Sequence, residues 1–511
     1  MVDSNSSSPE LKNFKVLPYS AETLIQLLSE LSSANPARVA AKTHIEYFRE
    51  YFRMVDAKTL VVEPNYTDRD YLEDFAAFYV RCHAGYRSSC ARIHFFSVAF
   101  DADQLVKVVE QADGLLRHED LQREYIGFIV VKPLPATIIG RTCLKTYPSE
   151  GRRYFPVTRK YTANLLGMAF EVSTLAYQEQ DTVLAACATS ALWSVFQGTG
   201  KLFQHPIPSP YEITRGATEH ALRPAREFPN KGLIPPQMVK AIRDVGLEPD
   251  VTAVNLDLTL KAAAYAYLRV GIPFLLLAKQ YDPAIHDSVT GGPKLRGGHA
   301  VAVTGYSLGG SAATALSPAG TLFRASRIDK LYVHDDQVGP FARMELDCPP
   351  LEFTKNEETV ISVGPVMKSS FALHNQTMRT LYLVPDLLIF PVYHKIRISF
   401  VTVMAKAVQA DSGVEKFRQR VPDILKNRLE WDIFLTTGHQ FKEELREGKL
   451  INGDELLAVL ERPLPKFVWR CIGLHNNSPA LEILFDATDI EQADFRLAIF
   501  FYDQRLKAAM Q

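Results

Sequence analysis

Six cysteines are spread along the 511 residues: Cys82, Cys90, Cys143, Cys187, Cys348 and Cys471. One of them stands where a thiol could act as a nucleophile. In QDTVLAACATSALWSVFQ, residues 180 to 197, the apolar positions after Cys187 are Ala188, Ala191, Leu192, Val195 and Phe196. That spacing predicts a core-facing helix beginning at or just before the cysteine. At a helix N-terminus the unpaired backbone N–H groups and the positive end of the macrodipole favour a thiolate over a thiol. Upstream stand Gln178 and Gln180. Either could offer a side-chain N–H to a developing oxyanion beside the backbone N–H of Cys187.

A nucleophilic thiol needs a base, and the base needs an orienting group. GGHAVAVTGY places His299 after paired glycines at the start of an expected strand, with Val301 and Val303 on its face. Gly297 and Gly298 leave room beside it for a substrate. LYVHDDQVGPF reads as a further strand ending in Asp335 and Asp336. A carboxylate there can accept the second ring N–H of the histidine and fix its tautomer. Each residue alone also has an ordinary explanation: a buried thiol, a histidine bonded at a strand end, an aspartate in a turn. Together they form the minimum set for acyl transfer through a thioester.

In these residues the chain resembles the papain-like cysteine peptidases, and within them the C39-like, bacteriocin-processing type. That family shows a glutamine, a cysteine opening the central helix, a histidine in an H-x-V-x-V strand and an aspartate in a D-P-x-x-G turn. The matching residues are Gln180, Cys187, His299 within HAVAV and Asp335 within DDQVG, over roughly residues 175 to 345. The resemblance implies a papain-like α+β core with a Cys-His-Asp triad. It also implies hydrolysis of a peptide or isopeptide bond without a metal or organic cofactor. The chain departs from the pattern at three points. Gln180 lies seven residues before Cys187 instead of six, Ala188 follows the cysteine where glycine is common, and Asp336 replaces the proline. The D-x-x-x-G register favours Asp335 as the third member, with Asp336 the alternative, and Gln178 the alternative oxyanion donor.

The surrounding pattern divides into regions. Residues 1–12 read as a disordered leader without the basic flank and apolar core of a secretory signal. Residues 13–165 are α/β in content: DRDYLEDFAAFYVRC has helical spacing behind an acidic first turn, while ARIHFFSVAF and YIGFIVVKPL read as strands. Residues 166–388 place helices before strands, an α+β order and the expected catalytic domain. Within them SLGGSAATALSPAGT reads as an exposed loop. Residues 389–511 form a mixed C-terminal region, with helices expected near IRISFVTVMAKAVQ and GDELLAVLERPLP and strands at FVWRCIGL and ALEILFDAT.

Lys and Arg total 57 against 58 for Asp and Glu. The balance gives no electrostatic reason to expect nucleic acid or an anionic membrane as partner. No run reaches the roughly 18–20 apolar residues of a membrane span, so a cytosolic location is the expectation. Cys82, His83, Cys90 and His94 match no zinc spacing. Asp68, Asp70, Glu73 and Asp74 fit a charged helix start better than a calcium loop. Two functions follow from the sequence. The first is a thiol hydrolase acting on a protein or peptide, with a deamidase or acyltransferase using the same residues. The second is a catalytically silent papain-like scaffold whose N- or C-terminal region recognises a protein partner.

Overall fold

The computed structural model describes residues 13–510 except 113, 115, 182, 184–185, 220–231, 289–291, 316–319, 356–357, 362–364, 374–376, 421–422, 449–450, 452 and 491–493. The expected leader over 1–12 lies outside the described residues. The chain is mixed α+β, and its larger sheets are almost wholly antiparallel.

Strands β1 (Lys15–Pro18), β2 (Thr59–Tyr66), β3 (Cys90–Phe96), β4 (Tyr125–Val131) and β5 (Ile139–Leu144) pair in chain order as one antiparallel sheet. Helices α1 (Ala21–Ser32), α2 (Pro36–Ala40) and α3 (Thr43–Met54) connect the first two strands. Helix α4 (Arg69–Ala77) follows β2, while α5 (Ala102–Val109) and α6 (His118–Arg123) lie between β3 and β4. The acidic start of α4 works as a cap. Asp68 accepts the N–H groups of Asp70 and Tyr71, and Arg141 pairs with Asp68 at 3.3 Å and Asp70 at 2.8 Å.

Next come the short β6 (Arg153–Tyr154), the hairpin of β7 (Arg159–Leu165) and β8 (Met168–Thr174), and helix α7 (Cys187–Phe203). Helices α8 (Pro210–Thr218) and α9 (Pro235–Asp244), strand β9 (Glu248–Ala253) and helix α10 (Asp257–Leu268) lead into the central sheet. Its strands are β10 (Phe274–His286), β11 (Pro293–Leu308), β13 (Ile328–Asp335), β14 (Gly339–Glu345), β17 (Met367–Ala372) and β18 (Met378–Val392). The intervening β12 (Leu322–Phe323) belongs to another sheet, and β15 (Glu352–Lys355) pairs with β16 (Glu358–Ile361). Because β18 pairs with both β17 and β10, the six central strands close into a ring. Closure removes most free edges. Strand β9 extends the far half of β18.

Helix α7 packs on this ring across β11, β10 and β13. Small residues face one another there: Ala188 and Ala191 of the helix share a buried cluster with Ala300 and Ala302 of β11. The close approach brings the start of the helix to the strands that carry the histidine and the aspartates. The strand holding His299 begins at Pro293, upstream of the start expected from sequence. The paired glycines do not end it, because β10 and β11 continue past them with a bulge opposite Gln280 and Tyr281.

The C-terminal region adds α11 (Phe400–Arg420), β19 (Glu430–Thr437), α12 (Gly438–Gly448), α13 (Gly453–Glu461), β20 (Phe467–His475), β21 (Ser478–Asp486), β22 (Arg496–Phe501) and α14 (Gln504–Met510). Its sheet runs β12-β19-β20-β21-β22, so a piece of the central region forms its edge. One apolar cluster reaches from Leu24 through the ring to Leu506. Among the described residues no helix is long and apolar enough to cross a membrane.

Candidate active site

Cys187 is the first residue of α7, and Ala186 before it supplies no side-chain cap. The N-cap position therefore places no side-chain acceptor of its own on the first N–H groups of the helix. The body of the helix is fixed. Every residue from Ala188 to Thr199 is buried, Trp193 Nε1 donates to Asp70 at 2.8 Å, and the Ser194 hydroxyl donates to the Ala176 carbonyl at 3.1 Å. Trp193 and Phe196 are core residues. Cys187 itself is half-buried, at the mouth of a cleft.

His299 is buried on β11, and its Nε2 donates to Asp335 Oδ1 at 3.1 Å. The other ring nitrogen, Nδ1, is buried without a hydrogen bond of ordinary geometry. Burial disfavours the imidazolium. The charge and hydrogen bond of Asp335, the nearby Cys187 thiol and the charge of Asp336 outweigh it, so the pKa of His299 is raised well above the usual histidine value. Asp335 shifts the opposite way. Burial pushes its pKa up, but the attraction and hydrogen bond of His299 and the Gln337 N–H, at 3.0 Å, hold it below the ordinary carboxylate value. Cys187, His299 and Asp335 thus come together from a helix start and two strands.

Asp336 stands close by but does not bond the ring. Both of its carboxylate oxygens are buried without a hydrogen-bond partner. Burial, and then the charges of Asp335 and Glu179, push its pKa to about 7 against the pull of His299. Donor atoms of His299, Asp335 and Asp336 lie within 4.8 Å of one another, which is close enough to hold a cation.

The cleft has a volume of about 820 Å³ and is lined by Cys187, His299 and Gln180. One wall is apolar, with Leu233, Met238, Leu277 and Leu387; its polar side includes Lys279 and Asp386, 3.6 Å apart. Gly297 and Gly298 border it, and a Cβ on either would meet nothing within 4 Å. The two glutamines part company. Gln180 reaches the cleft beside Cys187, whereas Gln178 is buried with its Nε2 unpartnered and does not line the cleft.

Several residues around this group carry no local signal in the sequence. His44 and Tyr177 meet at 2.8 Å, Lys42 pairs with Glu179, and His334 stacks edge-on against Tyr177 and bonds Ser194 at 3.3 Å. Burial lowers the pKa of His334 to about 3, so this histidine is neutral packing beneath the site. His94 bonds the Tyr125 hydroxyl at 2.9 Å within the N-terminal sheet, away from the cleft. Compared with known proteins, the chain matches no protein-family model and has no significant match among curated proteins.

Proposed function

We propose that the protein is a thiol hydrolase of papain-like type, most similar to the C39-like peptidases, cleaving a peptide or isopeptide bond in a protein substrate. One observation carries this reading: a buried imidazole bonded to Asp335 through Nε2 lines the same cleft as the Cys187 thiol, with its Nδ1 left free of any other hydrogen bond. Cys187 Sγ attacks the acyl carbon while its proton passes to His299 Nδ1. The carbonyl electron pair moves to oxygen, which the Cys187 N–H and the Gln180 amide stabilise. The intermediate collapses, the C–N bond breaks, and His299 returns its proton to the leaving amine. Water, deprotonated by the same ring, then hydrolyses the thioester and regenerates the thiol. Asp335 keeps Nε2 protonated throughout and neutralises the imidazolium. A reducing compartment such as the cytosol suits a free thiol of this kind, and protein recognition suits the broad N- and C-terminal surfaces.

The test is site-mapped alkylation. Six free thiols are present, and Cys82 and Cys348 are half-buried like Cys187, so labelling must be read peptide by peptide. With a limiting haloacetamide, Cys187 should react first, and Cys187→Ala should remove that label while leaving the circular dichroism and melting curve unchanged. Equal labelling of all three half-buried thiols would remove Cys187 from the mechanism and favour the silent scaffold.

A further inference from the structure

One short stretch of the N-terminal region touches both arms of the candidate site. Lys42, just before α3, forms a partly buried ion pair with Glu179, whose carboxylate also accepts the N–H groups of Ile138 and Ile139 at 3.1 Å each. Glu179 sits between Gln178 and Gln180. His44, in the first turn of α3, places Nε2 at 3.0 Å from the main-chain oxygen of Asp336 and 2.8 Å from the Tyr177 hydroxyl. A carbonyl oxygen only accepts, so this nitrogen carries the proton. The Tyr47 hydroxyl donates to the Pro340 carbonyl, and a Cβ on Gly339 would fall 2.5 Å from the Tyr47 ring. The turn from Asp335 to Pro340 is therefore gripped at both ends by one helix.

We propose that Lys42, His44 and Tyr47 form a positioning clamp that selects Asp335 over Asp336 as the partner of His299 and fixes the Tyr177–Gln180 segment beside Cys187. Two adjacent buried carboxylates stand near one imidazole, and only one of them bonds it. Rotation of the Asp335–Asp336 backbone would exchange them. The bond from His44 to the Asp336 carbonyl fixes the next peptide plane, Asp336–Gln337, and so holds the turn that carries both acids, while the ion pair of Lys42 with Glu179 holds the Gln178–Gln180 segment. A lost buried hydrogen bond of this kind leaves an unsatisfied carbonyl and frees the turn to reorient. The N-terminal region is on this account part of the scaffold of the active centre. His44, Lys42 and Tyr47 touch no substrate.

The inference rests on the thiol-hydrolase reading, and its test separates the two. The probe is iodoacetamide, and the readout is the pH dependence of Cys187 alkylation in the full chain. His44→Phe should move the half-maximal point upward by about one pH unit, or about tenfold slower reaction below the midpoint, because a misplaced Asp335 no longer holds the imidazolium. His44→Gln, whose amide N–H reaches the same carbonyl, should restore most of the wild-type profile. A folded His44→Phe protein with the wild-type profile overturns the clamp. Should His44→Phe fail to fold, Lys42→Met keeps the histidine and removes the ion pair with Glu179 together with the bond to the Ala136 carbonyl. It should give a smaller shift in the same direction, and an unshifted profile overturns the proposal equally. If the wild-type Cys187 reacts no faster than Cys82 and Cys348, the hydrolase reading itself fails and takes the clamp with it.

Discussion

Asp335 and Asp336 are neighbours in the chain with opposite electrostatic fates, and two predictions follow at the scale of single residues. Asp335→Asn removes the carboxylate charge that stabilises the His299 imidazolium and offers an amide N–H that favours the wrong tautomer, so turnover should fall by about 10²–10⁴-fold with little change in melting temperature; a loss under about threefold would take Asp335 out of the mechanism. Asp336→Asn should act on stability instead. The folded-state pKa of Asp336 is raised from 3.8 to about 7. Below the unfolded value both states are protonated and burial of the neutral acid costs little. Between the two values the unfolded chain releases its proton and the folded one does not, so stability falls as pH rises, and the loss is complete above about 7. The asparagine variant carries a constant cost without this slope. The melting-temperature difference, variant minus wild type, should therefore grow through that window and level off above it; a flat difference would show that Asp336 is ionised throughout.

The sequence left the choice between these two acids to a register argument. Their distinction is made by His44, which lies 292 positions from Asp336 in the chain, and no local pattern of types or spacing could connect them. Cys187, His299 and the DDQVG turn were legible because each announces itself locally, by helical spacing, paired glycines and turn chemistry.

At the scale of elements, the helix under Cys187 depends on a tight fit. Gly198 lies in the middle of α7, where a Cβ would stand 2.8 Å from Pro273 Cγ and 3.2 Å from its Cδ. Helix propensity alone would make alanine better there by about 1 kcal/mol. The rigid proline ring, at the entry to β10, cannot rotate away, and overpacking of this sort costs about 1–3 kcal/mol. Gly198→Ala should therefore lower the melting temperature against the propensity trend and slow the alkylation of Cys187 as the helix start shifts. A more stable Gly198→Ala protein would mean that α7 is free to move on the ring. The main strands were readable as apolar β-branched and aromatic runs. The start of β11 was not, because Gly297 and Gly298 look like a break, while the hairpin simply carries on beyond them into largely exposed residues. The two-residue β6 and β12 carry too little pattern to be seen, yet each ties one region to another.

Over the whole molecule, the C-terminal sheet is built into the core. Helix α10 is buried from Leu260 to Leu268 with no face left to solvent, a condition that needs cover on every side. The ring supplies part of it, and the C-terminal sheet supplies another part: Tyr267 meets Trp469 with ring centroids 5.4 Å apart, and Arg269 pairs with Asp432 at 3.1 Å. Trp469 in turn donates to the Ile398 carbonyl at 2.9 Å. Large side chains of this kind contribute about 1.5–3 kcal/mol each when fully buried, against a total stability of only about 5–15 kcal/mol for a typical protein. Ending the chain at Pro391 would uncover several at once, Tyr267 and Phe390 among them, and would leave β12 without its partner strand. The truncated chain should bind a hydrophobic dye, lose its near-ultraviolet circular dichroism and fail to show selective Cys187 alkylation. The intact chain should unfold in a single calorimetric transition. Two resolved transitions, or a truncated chain that labels Cys187 like the full protein, would show instead that the C-terminal sheet is an independent recognition module hung on a self-sufficient hydrolase.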